Sequence, residues 1–164
     1  MDEHLHGYDY AAELGALGYP KFSYLKGTTI PDPKKLLLRA LNEPNLDSRI
    51  GEGLPWLVWS YVDMDWIWLV ENAKATCRQN RLGFVVSLAT ELARRTNNRE
   101  RASQLQHQLE ILEMSRLSEE DTFCHDSMTE AERVWAREHR SSAAAHWNLL
   151  TDMRAEYLSD GSIP

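Results

Sequence analysis

Four residues in the last third of the chain carry side chains suited to metal or nucleophilic chemistry: Cys124, His125, His139 and His146, with Asp126 and Glu138 nearby. Thiolate and imidazole are zinc ligands, and a catalytic zinc site needs three ligands plus an open position. The spacing here matches neither H-E-x-x-H nor a finger pattern. His139 and His146 would align on one unbroken helix, but Ser141-Ser142 interrupts it. The plain reading is therefore ordinary surface histidines, with no metal and no cofactor assigned; a metal-dependent hydrolase is the third-ranked alternative. Cys124 beside His125 resembles a catalytic dyad in sequence only, because neighbours on an extended chain point apart. The chain has no G-x-S-x-G and no glycine-rich phosphate loop. Helix capping accounts for its carboxylate runs, Glu119-Glu120-Asp121 and Asp63 with Asp65. No catalytic residue is assigned, and an enzyme is not expected.

Two further sets suit recognition. Trp56, Trp59, Trp66 and Trp68 are crowded together, and the chain has six tryptophans in all. Trp56 and Trp59 share a helix face at i, i+3, whereas Trp66 and Trp68 at i, i+2 cannot. The plain reading is an aromatic core; the sharper one is that one or two of these rings anchor a partner protein, as tryptophan often does at interface hot spots. Lys21, Lys26, Lys34, Lys35 and Arg39 are interleaved with Tyr19, Phe22 and Tyr24, a pattern that suits phosphate contact. A second basic cluster, Arg94, Arg95, Arg99 and Arg101, marks a helix–helix junction.

Charge limits what these sets can do. The 164 residues carry a net charge of −7. Residues 118–164 hold ten acidic and four basic side chains, against eight basic and six acidic in residues 65–117. A protein binding nucleic acid over its whole surface would be basic, so DNA contact is confined to a local patch. The acidic tail suits a basic partner surface or a solvated face. The two cysteines are far apart, which points to a reducing compartment. The amino terminus lacks a leader's basic and apolar regions. The longest apolar stretch, Leu54 to Tyr61, is too short for a bilayer. A cytoplasmic protein is expected.

Helices must position all of these residues. Apolar spacing predicts a short helix over 8–17, then a turn of helix or a strand at Phe22–Leu25. Asp32 caps a helix from Pro33 to Asn42. A short segment runs from Asp47 or Ser48 to Gly53, and Pro55 restarts a helix through Tyr61. Asp63 or Asp65 caps a helix to Arg78, and another covers Gln79 to Arg95. Asn97-Asn98 breaks the chain before a helix from Arg99 to Leu117, folded back as an antiparallel hairpin. Ser118 to Met128 reads as a loop. Thr129 and Glu132 form a capping box opening the next helix, Ala143 to Leu150 is a last short helix, and Ser159 to Pro164 should fray. With no alternating strand pattern, the fold class is all-α: a small head over residues 1–44 and a helical bundle over 45–164.

The segment AAELGALGYPKFSYLKGTTIPDPKKLLLRAL resembles bacterial repressor-type helix-turn-helix heads. Ala11, Gly15, Gly27 and Pro31 keep their intervals. One turn glycine ends the first helix, another ends the recognition helix, and the proline leads into the closing helix. Phe22 and Leu25 sit one residue late, and few residues precede Ala11, so the likeness is to a truncated or degenerate version. The body, in LLLRALNEPNLDSRIGEGLPWLVWSYVDMDWIWLVENAK, QNRLGFVVSLATELA and DTFCHDSMTEAERVWAREHRSSAAAHWNLLTD, resembles a group of bacterial helix-turn-helix regulators. These are antitoxins paired with nucleotidyltransferase-type abortive-infection toxins. The resemblance implies a protein that binds and neutralises a toxin and regulates its own operon by binding operator DNA. The alternative is a helical interaction or scaffold protein with no DNA role. A homo-oligomer is compatible with either.

Overall fold

The computed structural model describes residues 9–25 and 29–158. The readings made of the extreme amino terminus, of Lys26 and Gly27, and of fraying at Ser159–Pro164 lie outside the described residues. The fold is all-α. Its helices are α1 (Tyr10–Ala16), α2 (Pro33–Leu41), α3 (Ser48–Ser60), α4 (Trp66–Ala75), α5 (Gln79–Arg95), α6 (Arg99–Glu113), α7 (Glu130–His139) and α8 (Ser142–His146). Two short strands, β1 (Asp121–Thr122) and β2 (Leu149–Leu150), pair in parallel with Asp121 opposite Leu149. Among the described residues no helix is long and apolar enough to cross a membrane.

Local chemistry sets the helix ends. Side chains of Asp9, Asp32, Asp47, Asp65, Asn98, Thr129 and Ser141 each accept a hydrogen bond from an otherwise orphaned backbone N–H at a helix start. α1, α4 and α5 end alike, in a left-handed residue: Gly18 (φ 107°), Cys77 (φ 58°) and Asn97 (φ 59°). In each, the following N–H reaches back five residues, as from Arg78 to the Ala73 carbonyl at 2.8 Å and from Asn98 to that of Ala93 at 2.9 Å. These turns separate α4 from α5 and α5 from α6.

α5 is the central helix. It packs most extensively against α6, as the predicted antiparallel hairpin, and also against α3, α4 and α8. Leu82, Val85, Val86, Ala89 and Leu92 are all buried along it. Leu14, Tyr19 and Phe22 from the head, and Leu36, Leu37 and Leu41 from α2, join the same hydrophobic cluster as the body. Residues 9–44 thus share one core with the helices of the body.

Four expectations are corrected. Pro55 does not restart a helix: α3 runs unbroken from Ser48 to Ser60 with Pro55 inside it. An internal proline costs about 3 kcal/mol, but Ile50, Leu54, Leu57 and Val58 are buried on either side of it, each contributing roughly 1.5–3 kcal/mol. The last helix ends at His146, and Leu149–Leu150 is a strand instead. Asn148 turns left-handed (φ 57°) and redirects the chain towards β1. Gly15 does not end α1 but lies within it. A Cβ there would stand 2.1 Å from the Phe22 carbonyl oxygen, so this glycine lets the following turn close onto the helix. That turn is a single 3₁₀ element, Pro20–Phe22, in the place where a recognition helix was expected.

Candidate functional site

The capping box at the start of α7 fixes one wall of a cleft. Thr129 Oγ1 accepts from the Glu132 N–H at 3.1 Å, and the Thr129 N–H donates to Glu132 Oε1 at 2.8 Å. Hydrogen bonding from Thr129, its backbone N–H first, holds the Glu132 carboxyl below its ordinary value. One residue of α7 is buried, Ala136, while Trp135 beside it stays 50% exposed. The Trp135 ring is stacked by His139, centroids 4.3 Å apart and planes 14° apart. The His139 Nδ1–H donates to the Trp135 carbonyl at 2.8 Å, so one face of the indole is covered and its pose is set.

Across from α7 stands the start of α3, with its cap Asp47 and, in its second turn, Glu52. Between the two walls lies an open cleft of about 870 Å³. Its lining includes buried Leu46, Phe123 and Met153, together with Met128. Among the described residues four carboxylates line it, Asp47, Glu52, Glu132 and Asp152, together with His125 and neither lysine nor arginine. Hydrogen bonds from Arg49 hold the Asp47 carboxyl low, so it is ionised at neutral pH.

The segment that carries Phe123 and Cys124 is tied on two sides. Its backbone joins β2 through the Asp121 N–H to the Asn148 carbonyl at 2.9 Å. It joins the α2–α3 connection through Leu46 N–H to Cys124 C=O (3.0 Å) and Asp126 N–H to Pro44 C=O (2.8 Å). Beneath it lies Arg81, 1% exposed. Its guanidinium donates to Asp121 (2.9 and 3.2 Å), to Asp126 (3.1 Å) and to the Leu41 carbonyl (2.8 Å) at the open end of α2. Next to it, Asn80 donates to the carbonyls of Leu117 and Trp147 and accepts from the Leu117 N–H. The polar start of α5 thereby anchors the later loops.

The structure disperses the metal-type candidates. His146 pairs with Glu113 at 2.6 Å and His139 with its own helix. Among the described residues no group of three or more such side chains is placed to hold a metal. Burial pushes the Cys124 thiol up to about 12, which leaves it protonated. The predicted tryptophans are also separated. Trp56 is 5% exposed and packs on Tyr19 and Tyr61 in the core. Trp59, Trp66 and Trp68 are half-buried and already engaged. Trp59 lies under the Arg101 guanidinium at 4.8 Å, Trp66 donates to the Val62 carbonyl, and Trp68 lies under Lys34 Nζ at 5.4 Å.

Of the basic set, Lys34 is ion-paired with Asp32 at 2.8 Å and Arg39 with Glu13 at 2.9 Å. Lys21 and Lys35 stand exposed. Arg101, from the second basic cluster, also donates to the Trp59 carbonyl.

Sequence reasoning missed Trp135 and Arg81. Trp135 had a weak signal: Ala131, Val134 and Trp135 stand at i, i+3 and i+4 on an otherwise charged helix. Arg81 had a signal: it falls on the face of α5 shared by Val85, Leu88 and Leu92, and an arginine at a buried position has to be paired. Comparison of the chain with family models, curated proteins and solved structures finds no match.

Proposed function

We propose that the chain is a non-enzymatic, antitoxin-like regulator that works by holding a partner protein in the cleft beside Trp135. The observation that carries this reading is the cleft itself. A half-exposed, pre-positioned tryptophan stands at an open concavity of about 870 Å³ with buried apolar side chains in its lining. Interface hot spots have this composition, an aromatic anchor among apolar contacts with a polar rim. The acidic balance of residues 118–164 suits a basic partner surface. The partner implied by the family resemblance is a nucleotidyltransferase-type toxin. The DNA-binding half of the regulator reading rests on the basic set of the head: Lys21 and Lys35 stand exposed, ion pairs engage Lys34 and Arg39, and Lys26 lies outside the described residues.

The test is affinity capture of the tagged chain from its native host, with mass spectrometry of the proteins recovered. A stoichiometric toxin-like partner, lost on Trp135→Ala, is the expected result. Recovery of the chain alone would overturn the reading.

A further inference from the structure

We infer that the cleft between α3 and α7 is a receptor for an extended segment of the partner carrying an arginine or lysine next to a bulky apolar residue. This deepens the partner-holding reading and rests on it for the identity of the protein that supplies the segment. Two independent features of the cleft select this occupant. The first is charge: among the described residues four carboxylates line it, with His125 but no lysine or arginine beside them. Asp47 is paired with Arg49, and the Glu132 carboxylate accepts the Thr129 N–H, whereas Glu52 and Asp152 keep the balance of the lining negative. A cation entering the cleft meets a net negative field, and an anion is repelled.

The second feature is the aromatic surface. Trp135 is half exposed and lines the cleft, and an indole face attracts a guanidinium or ammonium group. The His139 stack holds the ring, so the ordering cost of binding is already met on this side. Met128 and Met153 add a pliable apolar surface, which accommodates a leucine-sized side chain without a rigid fit. Carboxylates around an aromatic and two methionines recognise a cation and a hydrophobe presented together.

A random short-peptide library displayed on phage, panned against the full chain, tests this. Enriched peptides are then titrated against the wild type, Trp135→Ala and the charge-neutral triple variant E52Q/E132Q/D152N. Glutamine at 132 can keep the reciprocal cap of α7, and both variants are first checked for wild-type circular dichroism and melting. Enriched peptides are expected to pair Arg or Lys with a large apolar residue. Trp135→Ala should weaken them about thirtyfold, the loss typical of one hot-spot tryptophan, and the triple variant should weaken them and flatten the salt dependence. Neutral or acidic winners, no winners, or basic winners indifferent to both variants would overturn the assignment. So would free arginine methyl ester binding as tightly as the peptides, which would make this a small-cation site. If host capture yields no toxin but peptides bind through Trp135, the antitoxin reading fails and the receptor assignment stands. If a toxin is captured but is indifferent to Trp135→Ala, the antitoxin role stands and the receptor assignment fails.

Discussion

Arg81 and Asp121 are 40 residues apart in sequence, yet the guanidinium Nε lies 2.9 Å from the carboxylate. Arg81 is almost wholly buried and Asp121 is not, so the arginine is the partner that depends on the pair. By also bonding Asp126 and the open end of α2, it fixes the segment that lines the cleft.

Arg81→Ala should therefore destabilise the fold by about 3–5 kcal/mol, the usual result of breaking a buried ion pair from one side. Urea unfolding monitored by circular dichroism measures it. A loss under about 1 kcal/mol would mean water replaces the guanidinium without cost.

Acid stability should report the same pair. Burial pushes the Asp121 carboxyl up, but the hydrogen bonds and charge of Arg81 outweigh it and hold it below its ordinary value. A depressed carboxyl adds stability above its unfolded value, near 3.9, and loses it as pH falls through the folded value. Below about pH 4 the wild type should lose stability more steeply than Asp121→Asn. Urea midpoints measured down to about pH 3 decide this, and equal slopes would remove Asp121 from the account.

The two thiols should differ sharply towards alkylating reagents. Cys77 is exposed, whereas Cys124 is kept protonated by burial, and the thiolate is the reactive form. Iodoacetamide at mildly alkaline pH should label Cys77 in the folded chain and both only after denaturation. Peptide mapping by mass spectrometry reads the result, and fast native labelling at Cys124 would contradict its placement.

Gly83 should not tolerate alanine. A Cβ there would stand 2.6 Å from the Trp147 ring, whose indole N–H donates to Ser87 at 3.0 Å. Alanine gains about 1 kcal/mol of helix propensity, but displacing a packed indole costs about 1–3 kcal/mol and that hydrogen bond. We expect a lower melting temperature and a changed near-ultraviolet spectrum; a higher melting temperature would show the ring moves freely.

DNA contact through Lys21, Lys26 and Lys35 should be weak and shallow in its salt dependence. Three neutralised phosphates give a slope of about −3 in log K against log salt. A binding series on the operator fragment measures it. A slope several times steeper would implicate arginines or lysines elsewhere, and no binding at low salt would leave the interaction-protein reading.

Much of the fold was legible in the sequence, because caps and apolar stripes are local signals. Asp32 and Thr129 cap where their spacing says, and of the pair Asp63 and Asp65 it is Asp65 that caps. Pro55 misled because burial on both sides outweighs a local penalty, and Leu149–Leu150 because a two-residue strand has no period to detect. The site was much less legible. Tryptophan crowding pointed to Trp56–Trp68, which tertiary contacts consume, while the exposed ring belongs to a solitary tryptophan. What makes Trp135 distinctive is the cleft, and residues far apart in the chain assemble it.

The double tethering of the 121–126 segment has a consequence for synthesis. Its two supports are the α2–α3 connection, made early, and β2, made late. A chain not yet made as far as β2 lacks the second support, so the cleft is assembled only once those residues have emerged. Chains cut short before β2 therefore lack this concavity.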